Sequence, residues 1–314
     1  MKIGLDIMGG DYAPKATILG AIEAHKQLAA NQNLVLIGDK AIALPVLEAN
    51  NFNPNHFEYV QTTEVIGMGE HPAKAILQKP NSSISLGFQL LKDGKIDSFA
   101  SAGNTGAMLV GAMFSVKAIK GVLRPAIASI IPKLKGGFGI LLDVGANADC
   151  KPEMLLQFGI LGSIYAQQMF NVAKPNVGLM NIGEEEEKGN LLSQATFMLM
   201  KASKQIDFFG NLEGRDLFND KADVIVCDGF TGNVVLKLAE SFYVLTLKKG
   251  MKDEFFDRFN YEQYGGSPIL GVNAPVIIGH GISTPEAVKN MLLSSIKMVK
   301  TKLIDQFNIA FSDK

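Results

Sequence analysis

The chain reads as an α/β protein built on a parallel sheet. Two observations predict this. Short apolar runs end in Gly/Asp/Asn-rich turns, and helix-period segments follow those turns repeatedly along the chain, the pattern of parallel strands joined by helical crossovers. The 314 residues, 47% apolar and 19% charged, also suffice for one large sheet covered on both faces, or for about two domain-sized units.

The elements follow in order. Ile3-Gly4-Leu5-Asp6-Ile7 leads into Met8-Gly9-Gly10-Asp11, and Pro14 sits near the first turn of a helix expected to reach about Leu28. Leu34-Val35-Leu36-Ile37 ends in Gly38-Asp39. Ile96-Asp97-Ser98-Phe99-Ala100 reaches Gly103-Asn104-Thr105-Gly106, and one helix is expected from Ala107 to Ile119. Leu123 to Pro132 reads as a strand near the midpoint. The second half repeats the grammar. Phe138-Gly139-Ile140-Leu141-Leu142 ends in Asp143-Val144-Gly145-Ala146-Asn147, with a helix from about Pro152 to Phe170. Val177 to Met180 ends in Asn181-Ile182-Gly183 and the run Glu184 to Glu187. Ile206 to Phe209 ends in Gly210-Asn211-Leu212-Glu213-Gly214-Arg215. Val224 to Cys227 ends in Asp228-Gly229-Phe230-Thr231-Gly232-Asn233, with a helix from Val234 to about Gly250. Pro275 to Ile278 ends in Gly279-His280-Gly281, and a last helix starts at Pro285. With no linker and no short repeat, the chain is expected to form a single α/β/α unit over 1–314, or two intertwined subdomains.

Composition excludes several classes. Lys and Arg total 30 against 31 Asp and Glu, a net charge of -1, so no global field holds a polyanion and nucleic acid is not an expected partner. Cys150 and Cys227 form no C-x-x-C, which fits a reducing compartment; the cytoplasm is the expected location. No apolar run approaches the ~18 residues of a membrane span. His25, His56 and His71 lack a ligand partner at i+3 or i+4, so no metal and no cofactor are expected. Nucleophile-elbow, P-loop and G-x-G-x-x-G motifs are all missing.

In an open α/β sheet, ligands sit beyond the carboxyl ends of the strands. Gly103-Asn104-Thr105-Gly106 and Thr231-Gly232-Asn233 each open an apolar helix, so they either leave amides open to an anion or serve as caps and tight turns. The only arginines are Arg124, Arg215 and Arg258. Arg215, in Glu213-Gly214-Arg215-Asp216, either offers its planar fork to phosphate or pairs with Glu213 or Asp216. Arg124 is expected in a buried pair and Arg258 on a solvated helix surface. His280, between two glycines, either donates to a developing charge or bonds a neighbouring carbonyl. Glu184 is the member of its acidic run best placed for a crevice, against the alternative of a solvated turn. Asp6, Asp11, Asp143 and Asp228 end strands, where aspartate commonly forms turns. Both cysteines read as small apolar fillers.

The loops together are collinear with a known pattern. Asp6-Ile7-Met8-Gly9-Gly10-Asp11, Gly103-Asn104-Thr105-Gly106-Ala107, Leu142-Asp143-Val144-Gly145-Ala146-Asn147, Asn181-Ile182-Gly183-Glu184-Glu185 with Gly189-Asn190, Gly210 to Asp216, Asp228 to Val234, and Tyr264-Gly265-Gly266 through to His280-Gly281 occur in this order over nearly the whole chain. In these segments the sequence resembles the acyl-acyl carrier protein:phosphate acyltransferase (PlsX) family of bacterial phospholipid synthesis. The resemblance implies a three-layer α/β/α sandwich, Rossmann-like, similar to phosphotransacetylases and isocitrate dehydrogenases. It implies a homodimer that transfers a long-chain acyl group from acyl-acyl carrier protein to inorganic phosphate. The acyl phosphate then passes to a membrane glycerol 3-phosphate acyltransferase. The stretch between Lys237 and Tyr264 is shorter than the family's helical hairpin. Its remaining basic and aromatic residues, Lys248 to Phe259, leave peripheral membrane contact open beside an inward-packed helix.

On this resemblance the expected catalytic residues are His280, Arg215 and Asn233, with Gly10, Asp11, Asn104, Thr105, Asn147, Glu184, Asp228, Thr231 and Ser283 binding substrate. Phosphate is expected at Arg215 and the Thr231-Gly232-Asn233 amides, between Asn233 and His280, with Asn104 and Thr105 lining the thioester. His280 stabilises the oxyanion or protonates the leaving thiolate. The rival readings are a short-chain phosphate acetyl- or butyryltransferase using acyl-CoA, and a non-catalytic scaffold for the carrier protein.

Overall fold

A computed structural model describes residues 1–312. Along the chain lie β1 (Lys2–Asp6), α1 (Lys15–His25), β2 (Asn33–Gly38), α2 (Lys40–Ala49), β3 (Glu58–Gln61), α3 (Pro72–Gln78), α4 (Ser83–Lys92), β4 (Ser98–Ser101) and α5 (Thr105–Gly111). Next come β5 (Ala126–Pro132), β6 (Phe138–Leu142), α6 (Pro152–Phe170), β7 (Asn176–Met180), α7 (Leu191–Ala202), β8 (Asp207–Leu212) and β9 (Val224–Val226). The last are α8 (Gly229–Lys248), α9 (Glu254–Asp257), β10 (Ser267–Leu270), β11 (Val276–Ile278), α10 (Pro285–Lys300) and α11 (Leu303–Phe311). They fold into two compact units, Met1–Ala118 with Tyr261–Lys300, and Ile119–Asn260 with the segment beginning at Thr301.

The first unit carries strands in the order β3-β2-β1-β4-β11-β10. All neighbours are parallel except β10, which runs antiparallel to β11. Ile3 and Leu5 of β1 are fully buried, as a strand covered by helices on both faces requires. Small residues set the helix spacing. A side chain at Gly20 of α1 would strike Val288 of α10, and one at Gly87 of α4 would strike the Phe99 ring. In α10 the buried residues Ala287, Val288, Met291, Leu292, Ser295 and Ile296 recur at helical spacing and make one apolar stripe.

The second unit carries β5-β6-β9-β7-β8. Only β5 and β6 pair antiparallel. Gly159 and Gly162 of α6 bring that helix against Val177, Val224 and Leu142. Both units are therefore the α/β architecture anticipated from the βα grammar.

Some local expectations change. The segment after Asn104 is not one helix, since α5 stops at Gly111 and a π-helical turn covers Ala112–Val116. The helix expected from Val234 starts at Gly229, because Asp228 caps it. Arg124 is exposed rather than paired in the core. Arg258 is half-buried rather than solvated; its guanidinium donates to the carbonyls of Lys133 (2.9 Å) and Gly137 and lies 5.3 Å from the Phe138 ring centre. Phe255, Phe256 and Phe259 pack edge to face with Phe218 and Phe242. Among the described residues no helix is long and apolar enough to cross a membrane.

Candidate active site

Each unit presents a set of loops at the carboxyl ends of its parallel strands, and each set is organised by a buried aspartate. In the first unit Asp6 ends β1 and is fully buried. Its Oδ1 accepts the amides of Met8 (2.9 Å) and Gly9 (3.1 Å), and its Oδ2 accepts the Ser101 hydroxyl (2.7 Å). Burial pushes its carboxyl above the usual range, opposed by these donors. Gly9 fits only because it lacks a side chain: a Cβ there would stand 2.6 Å from the Gly103 amide. The Asp6 turn and the Gly103 turn are thereby locked together.

Gly10, at φ +102°, takes a left-handed conformation suited to glycine, and the next amide, Asp11, donates to Gly281 O at 2.7 Å. The Asp11 and Thr105 side chains lie on the exposed side. Asn104 is buried and structural. Its Oδ1 caps α5 by accepting the Ala107 amide (2.9 Å), and its Nδ2 gathers the carbonyls of Gly67, Met68 and Glu70 at 3.0–3.1 Å. His280 is half-buried, its ring 4.5 Å from that of Tyr261. Tyr261 donates to Ile282 O, which fixes the turn from the other side. Ser283 is buried, and its hydroxyl finds no hydrogen-bond partner among the described residues.

In the second unit Asp143 plays the part of Asp6. Oδ1 accepts the amides of Ile127 (3.0 Å), Gly145 (3.3 Å) and Ala146 (3.1 Å), and Oδ2 accepts the Asn147 amide (2.7 Å) and its Nδ2 (2.9 Å). Burial raises its pKa while the donors pull it back. Asn147 also donates to Pro125 O and accepts the Gly229 amide, tying the Asp143 loop to the start of α8. Asn233 extends the same link by donating to Val144 O at 3.1 Å.

The amides of the Thr231 turn are not open. Asp228 Oδ1 accepts the Thr231 amide and Oδ2 its hydroxyl, both at 2.8 Å, and the Gly232 amide donates to Asp228 O. Of the two alternatives the sequence left for this turn, the cap is the one formed: Asp228 consumes the Thr231 donors. Arg215 pairs with Glu213 at 2.7 Å, yet its side chain remains 73% exposed. Glu184 is held by Lys221 (2.7 Å), which also pairs with Asp216 (2.9 Å). Those two carboxylates hold the Lys221 ammonium above its ordinary pKa. Burial alone would raise Asp216, but Lys221 and the turn donors outweigh it and lower its pKa.

The expected residues thus fall into two groups. Gly10, Asp11, Asn104, Thr105, His280 and Ser283 belong to the first unit; Asn147, Glu184, Arg215, Asp228, Thr231 and Asn233 belong to the second. Sequence reasoning left out a cleft of about 370 Å³ in the second unit, lined by Leu179, Met180, Asn181, Leu192 and Cys227 with Asp228 and Thr231. Asp228 and Thr231 on its wall, with the Asn181 and Gly189-Asn190 motifs, were its visible signals. Neither thiol is a ready nucleophile. Burial and the Asp143 charge push Cys150 up to about 12, and burial raises Cys227 strongly. Among the described residues no group of three or more His, Cys, Asp or Glu is placed to hold a metal ion.

Residues 1–306 match the family described as fatty acid synthesis protein. The chain is 44% identical to a phosphate acyltransferase of Dictyoglomus turgidum over 96% of its own length and 95% of the relative's. It is 39% identical to a phosphate acyltransferase of Clostridioides difficile over 98% and 95%. Among solved structures it resembles a phosphotransacetylase from Streptococcus pyogenes (TM-score 0.69, 14% identity, 97% of this chain and 94% of that one). It also resembles the EutD phosphotransacetylase from Staphylococcus aureus (TM-score 0.64, 17% identity, 96% and 94%). At these identities the structural likeness concerns the fold.

Proposed function

The chain belongs to the fatty acid synthesis protein family, in which its relatives are phosphate acyltransferases, and from that premise we propose that it transfers a long-chain acyl group from acyl-acyl carrier protein to inorganic phosphate. The acyl phosphate would feed a membrane glycerol 3-phosphate acyltransferase in phospholipid synthesis. The enzyme would act as a cytoplasmic homodimer.

One observation carries the mechanism: both thiols are turned to backbone carbonyls, Cys150 to Asn147 O (3.5 Å) and the buried Cys227 to Asp143 O (3.6 Å), and burial pushes both thiols up, which argues against an acyl-cysteine intermediate. Phosphate, already anionic at neutral pH, attacks the thioester carbonyl itself. Forming the C–O bond to phosphate pushes the carbonyl π pair onto oxygen as a tetrahedral oxyanion; its collapse breaks the C–S bond, and that electron pair leaves on the thiolate. The protein's work is to position and desolvate phosphate, a contribution worth up to about 7–11 kcal/mol, and to stabilise the oxyanion, about 3–4 kcal/mol for each fixed donor.

In this proposal Arg215 holds phosphate, being the exposed guanidinium beside a strand end. With the Thr231 amide committed to Asp228, the Asp228–Asn233 turn contributes shape and the Asn233 side chain. In the first unit the exposed Thr105 lines the thioester on the turn that the buried Asn104 holds in shape, and His280 stabilises the oxyanion or protonates the leaving thiolate. Gly10, Asp11, Asn147, Glu184, Asp228, Thr231 and Ser283 complete the substrate contacts.

The test is incubation of the enzyme with long-chain acyl carrier protein and labelled phosphate, scoring label in acid-labile acyl phosphate. The proposal expects label to accumulate with carrier protein as donor. Efficient transfer from acetyl- or butyryl-CoA, with long-chain carrier thioesters inert, would replace it with the short-chain reading.

A further inference from the structure

The cleft of about 370 Å³ in the second unit lies at the carboxyl ends of β7, β8 and β9. Its volume falls in the range of about 300–1,000 Å³ typical of small-molecule sites. Its apolar wall is made by Leu155 from α6, Leu179 and Met180 from β7, Leu192 from α7, and the Cys227 thiol just beyond β9; Asn181, Asn190, Ser193, Asp228 and Thr231 make the polar side.

The polar groups on the lining are largely spent on one another. The Thr231 hydroxyl donates to Asp228. Asn181 Nδ2 donates to Lys188 O and to Asn211 Oδ1, both at 3.1 Å, and its Oδ1 accepts the Ile182 amide. Asn190 Oδ1 accepts both the amide and the hydroxyl of Ser193. Two cations near the acidic run are paired, Lys221 with Glu184 and Asp216, and Lys201 of α7 with Glu186. Such a surface favours an apolar guest over an anion or a sugar.

The rim repeats the message. Ile182, which lines the cleft, is 81% exposed, and Leu191, between the lining residues Asn190 and Leu192, is 87% exposed. Two large aliphatic side chains thus stand in water at the edge of the cleft, where an apolar chain entering it would cover them.

We propose that this cleft is the acyl-chain site. It takes the aliphatic chain of the thioester donor, with Ile182 and Leu191 as its entrance. The inference rests on the phosphate acyltransferase reading and adds to it the location of chain-length selection. Until the cleft is filled, kcat/KM is expected to rise roughly fourfold for each methylene added, the factor that burying one CH2 supplies.

Two readouts separate this site from the reaction itself. The first is the ratio of kcat/KM for dodecanoyl over butyryl carrier-protein thioesters. The second is saturable binding of cis-parinaric acid, a fluorescent fatty acid that needs no turnover. Leu192→Trp fills the cleft and is expected to lower the ratio and weaken parinarate binding, each by about tenfold or more. Ile182→Ser, at an exposed position that costs no packing, shifts both in the same direction by roughly threefold and serves if the tryptophan variant fails to fold. Ile309→Ser, an exposed site on α11, changes neither.

If parinarate binds and Leu192→Trp weakens it while no acyl phosphate forms, the chain site stands and the transfer reading falls. If acyl phosphate forms but both variants leave the ratio and parinarate binding unchanged, the chain site is overturned. A change in oligomeric state for Ile182→Ser with the ratio intact overturns it too, because the rim would then be a contact between copies of the chain.

Discussion

Gly232 in the first turn of α8 lies directly against the carbonyl oxygen of Asp143, so closely that any side chain at 232 would overlap it. The Cys227 sulfur closes the other side, 2.9 Å from where a Cβ would stand. The close approach lets the Asp143 loop and the Asp228 cap share one small volume. Replacing Gly232 by alanine therefore forces α8 away from the loop. A loss of about 3 kcal/mol or more is expected, read as a lower urea midpoint, together with loss of acyl transfer.

Asp143 can also be altered without changing its size. All five of its donors are N–H groups, and an asparagine would turn an NH2 toward some of them. Asp143→Asn is expected to cost about 2–4 kcal/mol, measured by denaturant unfolding. An unchanged midpoint would mean that the loop is held by other contacts.

Arg215 distinguishes a structural pair from a phosphate ligand. Its bridge to Glu213 is largely exposed, and such pairs contribute about 0–1 kcal/mol. Arg215→Ala should therefore leave the melting temperature almost unchanged. If the guanidinium binds phosphate, the phosphate KM rises by roughly tenfold or more, and Arg215→Lys recovers only part of the loss because it has no planar fork. A phosphate KM equal to wild type removes Arg215 from the mechanism.

His25 gives the fold a pH dependence. Its ring packs against Phe52, Phe57 and His56, and its buried Nδ1 finds no hydrogen-bond partner among the described residues. Burial, then the charge of His56, lowers its pKa below 6.5. The unfolded chain thus binds a proton at a pH where the folded chain does not, so stability falls as pH drops through about 6.5 and levels off below the folded value. His25→Phe keeps the aromatic packing and is expected to flatten the slope of the urea midpoint between about pH 5 and pH 7. An identical slope in the variant would place the titration elsewhere.

Much of the fold was legible because strands buried on both faces must be apolar throughout and must end in turn chemistry. Ile3 to Asp6 and Phe138 to Leu142 carry that signal, and Pro152 to Phe170 forms the helix its periodicity implied. The break after Gly111 was not legible, since Ala107 to Val116 stays apolar across the change of winding. At the candidate site the motifs marked turns at the carboxyl ends of strands but not the state of their donors. Whether the Thr231 amide is free depends on the rotamer of Asp228, and Arg258 gained its partners from Lys133 and Gly137, over a hundred positions away. The cleft beside Asp228 was hidden for a similar reason. Leu155, Leu179 and Leu192 lie on three different elements, each reading as ordinary core.

In the proposed reaction phosphate, rather than water or a protein side chain, accepts the acyl group. The most direct measurement is release of free carrier-protein thiol from a long-chain acyl thioester across a titration of inorganic phosphate, with hydroxylamine added after quenching to trap acyl phosphate as hydroxamate. Thiol release that saturates with phosphate, matched one for one by hydroxamate, is the predicted result. Thiol release at the same rate without phosphate, yielding free fatty acid, would contradict it.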